Sequence, residues 1–291
     1  MKPAIAVLAL CLAALVSTCG SDSDDDDGLT VSATTGILAD ITEQVAGPDA
    51  SVDQVIPDGA SPHDFQLSAE DRAAIEDSGL LVYNGTGLEP GIPVAEVEVP
   101  TFALTDTVDE LLPDDPHVWM DPTRVAAALP ALADALAEAD PDHADGYRSR
   151  ADDYAAELER VDAEVRAAVE ALPAQDRELV TSHDALGYFA DRYGFEVVAT
   201  TFPASGVEAE ASAAKIREVE DAVRRTGVPA VFAEEEDDPE VLELVAEDTG
   251  VEIVADLLVE SPGEAGSYVE MLRRDAELIS EALSPGPAPP Q

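Results

Sequence analysis

Between Pro141 and Pro173 the chain carries one uninterrupted apolar stripe, in which Tyr147, Ala151, Tyr154, Leu158, Val161, Val165, Ala168 and Leu172 recur at spacings of four and three. Residues so spaced share one face of an α-helix, because 3.6 residues complete a turn. Asp140 is a good cap for the start and Pro173 forbids continuation, so the expected helix covers 140–172. At a rise of about 1.5 Å per residue it is roughly 45 Å long, more than one small lobe can use. In a chain of 291 residues such a helix implies two lobes that share it. A coiled-coil hairpin or a dimer seam would need a second stripe of similar length, and no match appears in the sequence; a monomer is expected.

On both sides of this helix, strand and helix patterns alternate. Before it, Leu29–Ala33, Val52–Ile56 and Leu80–Tyr83 read as strands, with helices at Ile37–Val45 and Ala69–Ser78. Asp121-Pro122 then opens a helix to about Ala139 that could kink at Pro130. After it, Glu178–Thr181, Glu196–Ala199, Ala230–Ala233 and Val251–Ala255 read as strands. Helices are expected at Ala185–Tyr193, Ser212–Thr226, Pro239–Asp248 and Ser267–Leu283. Alternation of this kind builds parallel sheets. The fold class is therefore α/β, with two (β/α) lobes at 29–139 and 173–283 joined by the helix.

The N-terminus has Lys2, an apolar run from Ile5 to Val16, and then Ser17-Thr18-Cys19-Gly20. The run is too short to span a bilayer. It resembles a bacterial lipoprotein signal, with 1–18 removed and Cys19 lipidated to tether the protein outside the cytoplasm. Thr18 departs from the usual Gly, Ala or Ser, so ordinary signal cleavage stays open. Residues 19–28 read as an acidic tether and 284–291 as a proline-rich disordered tail. Cys11 lies inside the signal, so the mature fold has no disulfide and no thiolate ligand, and any transition-metal site must use histidine and carboxylate.

The formal charge of -48, from 63 acidic against 15 basic residues, excludes nucleic acid and anionic membrane surfaces as partners. Lys2 and Lys215 are the only lysines. So much acid spread over the chain suits a hydrated surface in a saline habitat, and the melting temperature is expected to rise between low and molar salt.

In open parallel sheets, ligands bind in the crevice beyond the carboxyl ends of the strands. His63 lies in the loop leaving the second strand, His183 at the end of the first strand of the second lobe, and Asp256 at the end of Val251–Ala255. His117 sits in Asp115-Pro116-His117-Val118-Trp119-Met120-Asp121-Pro122, a loop fixed by the helix start that follows. The fourth histidine of the chain, His143, is expected to be solvated at the start of the long helix. Three imidazoles with one carboxylate suit zinc, which accepts nitrogen and oxygen ligands at about 2.0–2.2 Å. A strand-end aspartate can also simply cap the next turn.

The His117 motif, with Pro62-His63-Asp64-Phe65, Asn84-Gly85-Thr86-Gly87-Leu88-Glu89 and Ser182-His183-Asp184-Ala185-Leu186-Gly187-Tyr188-Phe189, resembles the metal-binding lipoproteins of bacterial zinc and manganese ABC importers. Glu210-Ala211-Ser212 resembles that family's Glu-Pro-Ser signature with the proline replaced. The resemblance covers roughly Leu29 to Leu283. It implies two lobes on one rigid helix with the metal in the interlobe cleft. It also implies His63, His117, His183 and Asp256 as ligands, and an ABC permease as partner. Glu210, Ser212 and Glu234 are candidates to support the ligands from behind, Glu234 also as a substitute ligand. Manganese-binding relatives place a glutamate at the third ligand position, so His183 points to Zn2+, with Mn2+ the second choice. A histidine-rich loop common in zinc relatives is missing here, since the segment from Val97 to Asp115 holds acids and no histidine.

The rival class is a secreted zinc hydrolase, which would keep one coordination position open for water. Four protein ligands would close the shell, and neither His-Glu-x-x-His nor Gly-x-Ser-x-Gly occurs in the chain, so a binding protein and not an enzyme is expected. A surface adhesin is compatible with a tethered lipoprotein but has no sequence feature of its own.

Overall fold

A computed structural model describes residues 28–203, 213–234 and 240–284. The N-terminal lobe is built from β1 (Leu29–Ala33), α1 (Gly36–Ala46), β2 (Ala50–Gln54), α2 (Ala69–Asp77), β3 (Leu80–Tyr83), β4 (Thr101–Ala103) and α3 (Pro122–Ala139). The long helix α4 (Ala144–Glu170) follows a short 3-10 turn. The C-terminal lobe contains β5 (Glu178–His183), α5 (Gly187–Tyr193), β6 (Glu196–Phe202), α6 (Ala213–Thr226), β7 (Ala230–Glu234), α7 (Glu240–Thr249), β8 (Glu252–Leu257) and α8 (Tyr268–Leu283). Among the described residues, no helix is long and apolar enough to cross a membrane.

Each lobe has one four-stranded parallel sheet, in the orders β2-β1-β3-β4 and β6-β5-β7-β8. The two orders are the same when strands are counted from the start of each lobe. In both, the chain reverses its direction of travel between the first and third strands, which opens a crevice at their carboxyl ends. The central strands β5 and β7 are buried almost throughout, as strands covered on both faces must be. Strand β4 has no counterpart among the expected elements, because three residues are too few to display a period. It pairs with β3 from Leu81↔Thr101 to Tyr83↔Ala103 and completes the first sheet.

Two helix starts follow the sequence, while the long helix begins at Ala144 behind His143 with no side-chain cap, a 3-10 turn separating it from Asp140. Ser68 and Asp71 form a reciprocal capping box on α2. Asp121 caps α3 by accepting the N–H of Thr123 at 2.9 Å, with Pro122 in the first turn. Pro130 lies inside α3 without ending it, and its side chain faces outward.

Helix α4 is the shared spine, about 40 Å long from its 27 residues. Its buried stripe is Tyr147, Ala151, Tyr154, Leu158, Val161, Val165 and Val169, with Leu172 just beyond. Val169 takes the place expected for Ala168, which is only half-buried; both are apolar and adjacent, so the spacing did not separate them. The first half of α4 holds the N-terminal lobe: Arg150 donates to the carbonyls of Val45 and Ala46 at the end of α1, and to Asp49. The second half holds the C-terminal lobe through Asp162 with Arg192 and through the Ala168 carbonyl with Ser280. One apolar cluster runs from β1 and α1 through α3 and α4 into α5 and α8. Lobes that share a core in this way can rotate only slightly against each other.

Candidate metal site

Four loops or strand ends converge where the two crevices face each other. His63 comes from the loop after β2, and its N–H donates to Ser61 Oγ at 3.3 Å. His117 follows a sharp turn in which Asp114 has φ 59, a left-handed conformation that aspartate tolerates better than most residues. Behind it, Asn84 at the end of β3 donates to the Pro116 carbonyl at 2.9 Å. Asn84 is itself gripped by Glu89, which accepts its N–H and the Thr34 hydroxyl, each at 2.7 Å. Burial raises the Glu89 carboxyl above its ordinary value, against these hydrogen bonds. His183 is the last residue of β5, and Glu260 lies in the loop after β8.

The four side chains are buried, and each places one donor atom so that all lie within 4.8 Å of one another. His63 Nε2 is 3.4 Å from His117 Nε2 and 3.1 Å from Glu260 Oε1. The three rings are T-shaped to one another, with centroids 4.9–5.5 Å apart and interplanar angles of 66–89°. Rings so crossed aim nitrogen lone pairs at a common point. A tetrahedral shell of about 2.0–2.2 Å bonds needs donors about 3.3–3.6 Å apart; His63 to His117 at 3.4 Å meets this, and His63 to Glu260 at 3.1 Å lies slightly inside it.

Two further carboxylates back the imidazoles. Asp115 Oδ1 lies 2.8 Å from His117 Nδ1 and also accepts the His117 N–H at 2.9 Å. Glu234, buried at the end of β7, is 3.2 Å from His183 Nδ1, and its N–H donates to Ser182 Oγ at 3.2 Å. Each partner fixes which ring nitrogen is left to bind metal and makes it more basic. The C-terminal lobe comes close to this region. Tyr188 of α5 accepts the Leu112 N–H at 2.8 Å and donates to the Asp115 carbonyl at 3.4 Å. A Cβ at Gly187 would collide with Asp115 Oδ2, so a side chain there would push the Asp115 carboxylate aside.

The electrostatics fit a divalent cation. Burial, then the neighbouring His183 and His63, hold the His117 imidazole well below its ordinary value, so it is neutral and its lone pair is free for metal. Burial raises Asp115 to about 6 against the His117 hydrogen bond. Burial would also raise Glu260, but the hydrogen bond from His63 and the influence of the neighbouring imidazoles outweigh it and hold the carboxyl below its usual range. Burying Asp115, Glu234 and Glu260 in one cleft is costly unless positive charge compensates them.

The structure thus brings together His63, His117 and His183, with Glu234 behind His183. It does not bring Asp256. That residue is exposed on β8, the edge strand of its sheet, and the chain runs on to Glu260 before a carboxylate enters the cleft. A shift in the β7–β8 register between Phe232 and Glu234 accompanies this extension of the strand to Leu257. Glu210 and Ser212 lie outside the described residues, as do 1–27 with Cys19. Asp115 and Glu260 were not singled out from the sequence. An acid two residues before a loop histidine, and one after an apolar strand end, were the available signals.

Comparison with known proteins adds context. The family model ZnuA, zinc-uptake complex component A periplasmic, matches residues 31–282. The chain is 28% identical to the manganese-binding lipoprotein MntA of Halalkalibacterium halodurans, covering 97% of this chain and 99% of that protein. It is 28% identical to the manganese ABC transporter substrate-binding lipoprotein PsaA of Streptococcus pneumoniae, covering 98% and 100%. Its fold is similar to the periplasmic zinc-binding protein TroA of Treponema pallidum, with a TM-score of 0.83, 28% identity and coverage of 89% and 100%. It is similar also to the laminin-binding protein Lmb of Streptococcus agalactiae, with a TM-score of 0.77, 27% identity and coverage of 88% and 100%.

Proposed function

Because this chain belongs to the ZnuA family of metal-binding components of ABC importers, we propose that it holds one divalent transition-metal ion between His63, His117, His183 and Glu260 and surrenders it to a permease. Members of this family bind a substrate and do not transform it; the protein is not an enzyme. The observation that carries the ligand assignment is the convergence of four buried donors within 4.8 Å, two from each lobe. The cation is cargo, so capture and release are the whole of its chemistry.

Manganese is the cargo favoured by the relatives, since MntA and PsaA are named for it. This shifts the balance away from the zinc expected from His183. Zinc remains the second reading, supported by the three-imidazole donor set and by the likeness to TroA. The two readings meet in one physical expectation: zinc binds such donors more tightly than manganese, so availability outside the cell selects what is carried. The relatives named as lipoproteins support an extracytoplasmic, membrane-anchored protein, with Cys19 after removal of 1–18 as the proposed tether.

Metal content after purification without added metal, followed by Mn2+ and Zn2+ competition, tests the assignment. One ion per chain, displaced with zinc the tighter, is expected. A stoichiometry unchanged in His117→Ala would overturn it. For the tether, Cys19→Ala is expected to release the protein from membranes, and retention would defeat that part.

A further inference from the structure

One side chain outside the donor set fastens the two lobes to each other at the cleft. Trp119 belongs to the N-terminal lobe, two residues from His117, and its buried ring stands edge-on to that imidazole at 5.2 Å. Its indole N–H crosses to the carbonyl of Val259 at 2.8 Å, the residue before Glu260. Its own carbonyl accepts the hydroxyl of Tyr268, the first residue of α8. On the far side of the same loop, Asp275 of α8 accepts the Leu258 N–H at 3.1 Å. Residues 258–260 are therefore hung between an indole of one lobe and a carboxylate of the other. The backbone that carries Glu260 cannot move out of the cleft without breaking one of these bonds. An indole N–H can only donate, and in a buried cleft its loss leaves a donor and a carbonyl without water to replace it.

We propose that Trp119 is a latch, a positioning residue that holds Glu260 against the cation from the opposite lobe and so sets how fast metal leaves. The inference rests on the metal-binding reading above and adds a residue that controls release without touching the ion. The four donors are buried, so the carboxylate has to give way both when a cation enters and when it leaves. Departure requires the carboxylate to move, and the Trp119–Val259 bond resists that movement.

The test uses the full chain loaded with Zn2+ and chased with excess chromophoric chelator. Trp119→Phe keeps an aromatic ring and removes the donor. It is expected to raise the release rate about tenfold, the scale on which groups behind metal ligands act, and to speed association by a comparable factor, because the same bond opens on both passages. In a Glu260→Gln background, Trp119→Phe should add almost nothing, a non-additivity that general loosening does not produce. Tyr268→Phe removes only the hydroxyl bond to the Trp119 carbonyl and should speed release by a smaller factor; it carries the test if Trp119→Phe does not fold. Unchanged release in folded Trp119→Phe, unchanged release in Tyr268→Phe where it stands alone, or full additivity with Glu260→Gln overturns the latch. If the original chain takes up no Zn2+, the metal-binding reading falls and the latch with it.

Discussion

His117 and His143 each present Nδ1 to an aspartate, at 2.8 Å from Asp115 and 2.6 Å from Asp140, yet their rings are pushed in opposite directions. At the exposed corner between α3 and α4, the Asp140 hydrogen bond raises the His143 imidazole above its ordinary value, and water solvates the charge. In the cleft, burial together with His183 and His63 lowers His117 in spite of its aspartate. A carboxylate partner by itself therefore does not make a metal ligand. What separates the two is burial beside other imidazoles around one point, which holds His117 below its ordinary value and leaves its lone pair available.

The largest expected effect separates these two histidines. His117→Ala should lower metal affinity by about 100-fold or more, and His143→Ala should leave it within about twofold, as measured by chelator competition. Similar losses at both would break the contrast. The next contrast is between carboxylates: Glu260→Gln should cost about tenfold to 100-fold in affinity while Asp256→Asn changes little. The reverse result would move the ligand back to the strand end.

A smaller effect concerns Asp115. With its carboxyl raised to about 6, the metal-free protein holds a proton there below that pH, and a cation on His117 favours the carboxylate and expels it. Calorimetry in buffers of different ionisation enthalpy should show this proton leaving on metal binding. Asp115→Asn should abolish the release and weaken binding about tenfold. A proton count unchanged by the substitution would detach Asp115 from the site.

The smallest effect is on the stability of the metal-free fold. His143, raised in the folded state, contributes stability that is present below its ordinary value of 6.5 and is lost as pH rises through the higher folded value. His117, lowered, contributes the opposite way: its stability is present above 6.5 and is lost as pH falls toward the lower folded value. In melts with chelator, the difference between the original chain and His143→Gln should shrink as pH rises from 6 to 8. A difference that grew would reverse the assignment.

Much of this site was legible from local sequence. His63, His117 and His183 stand in loops or at strand ends on the crevice side, and Asp121-Pro122 marks a helix start wherever it occurs. The spine helix was readable because its stripe repeats over many turns, so a slip between Ala168 and Val169 changes little. The fourth donor was not readable. A strand end shows where a crevice begins, but nothing local says that β8 lies at the sheet edge with Asp256 turned to solvent.

The chain's order of residues by itself determined two α/β halves on one long helix and three histidines aimed at a shared crevice, and it places both cysteines, Cys11 and Cys19, before the described residues. Periodicity, capping and composition act over a few residues, and these features need no more. Only the tertiary structure decided that Glu260 enters the cleft, that Asp115 and Glu234 stand behind two of the rings, and that Trp119 reaches Val259. Except for the pairing of Asp115 with His117, these are contacts between residues far apart in the chain. They exist because the lobes share a core and face each other across it, a relation to which no local pattern is sensitive.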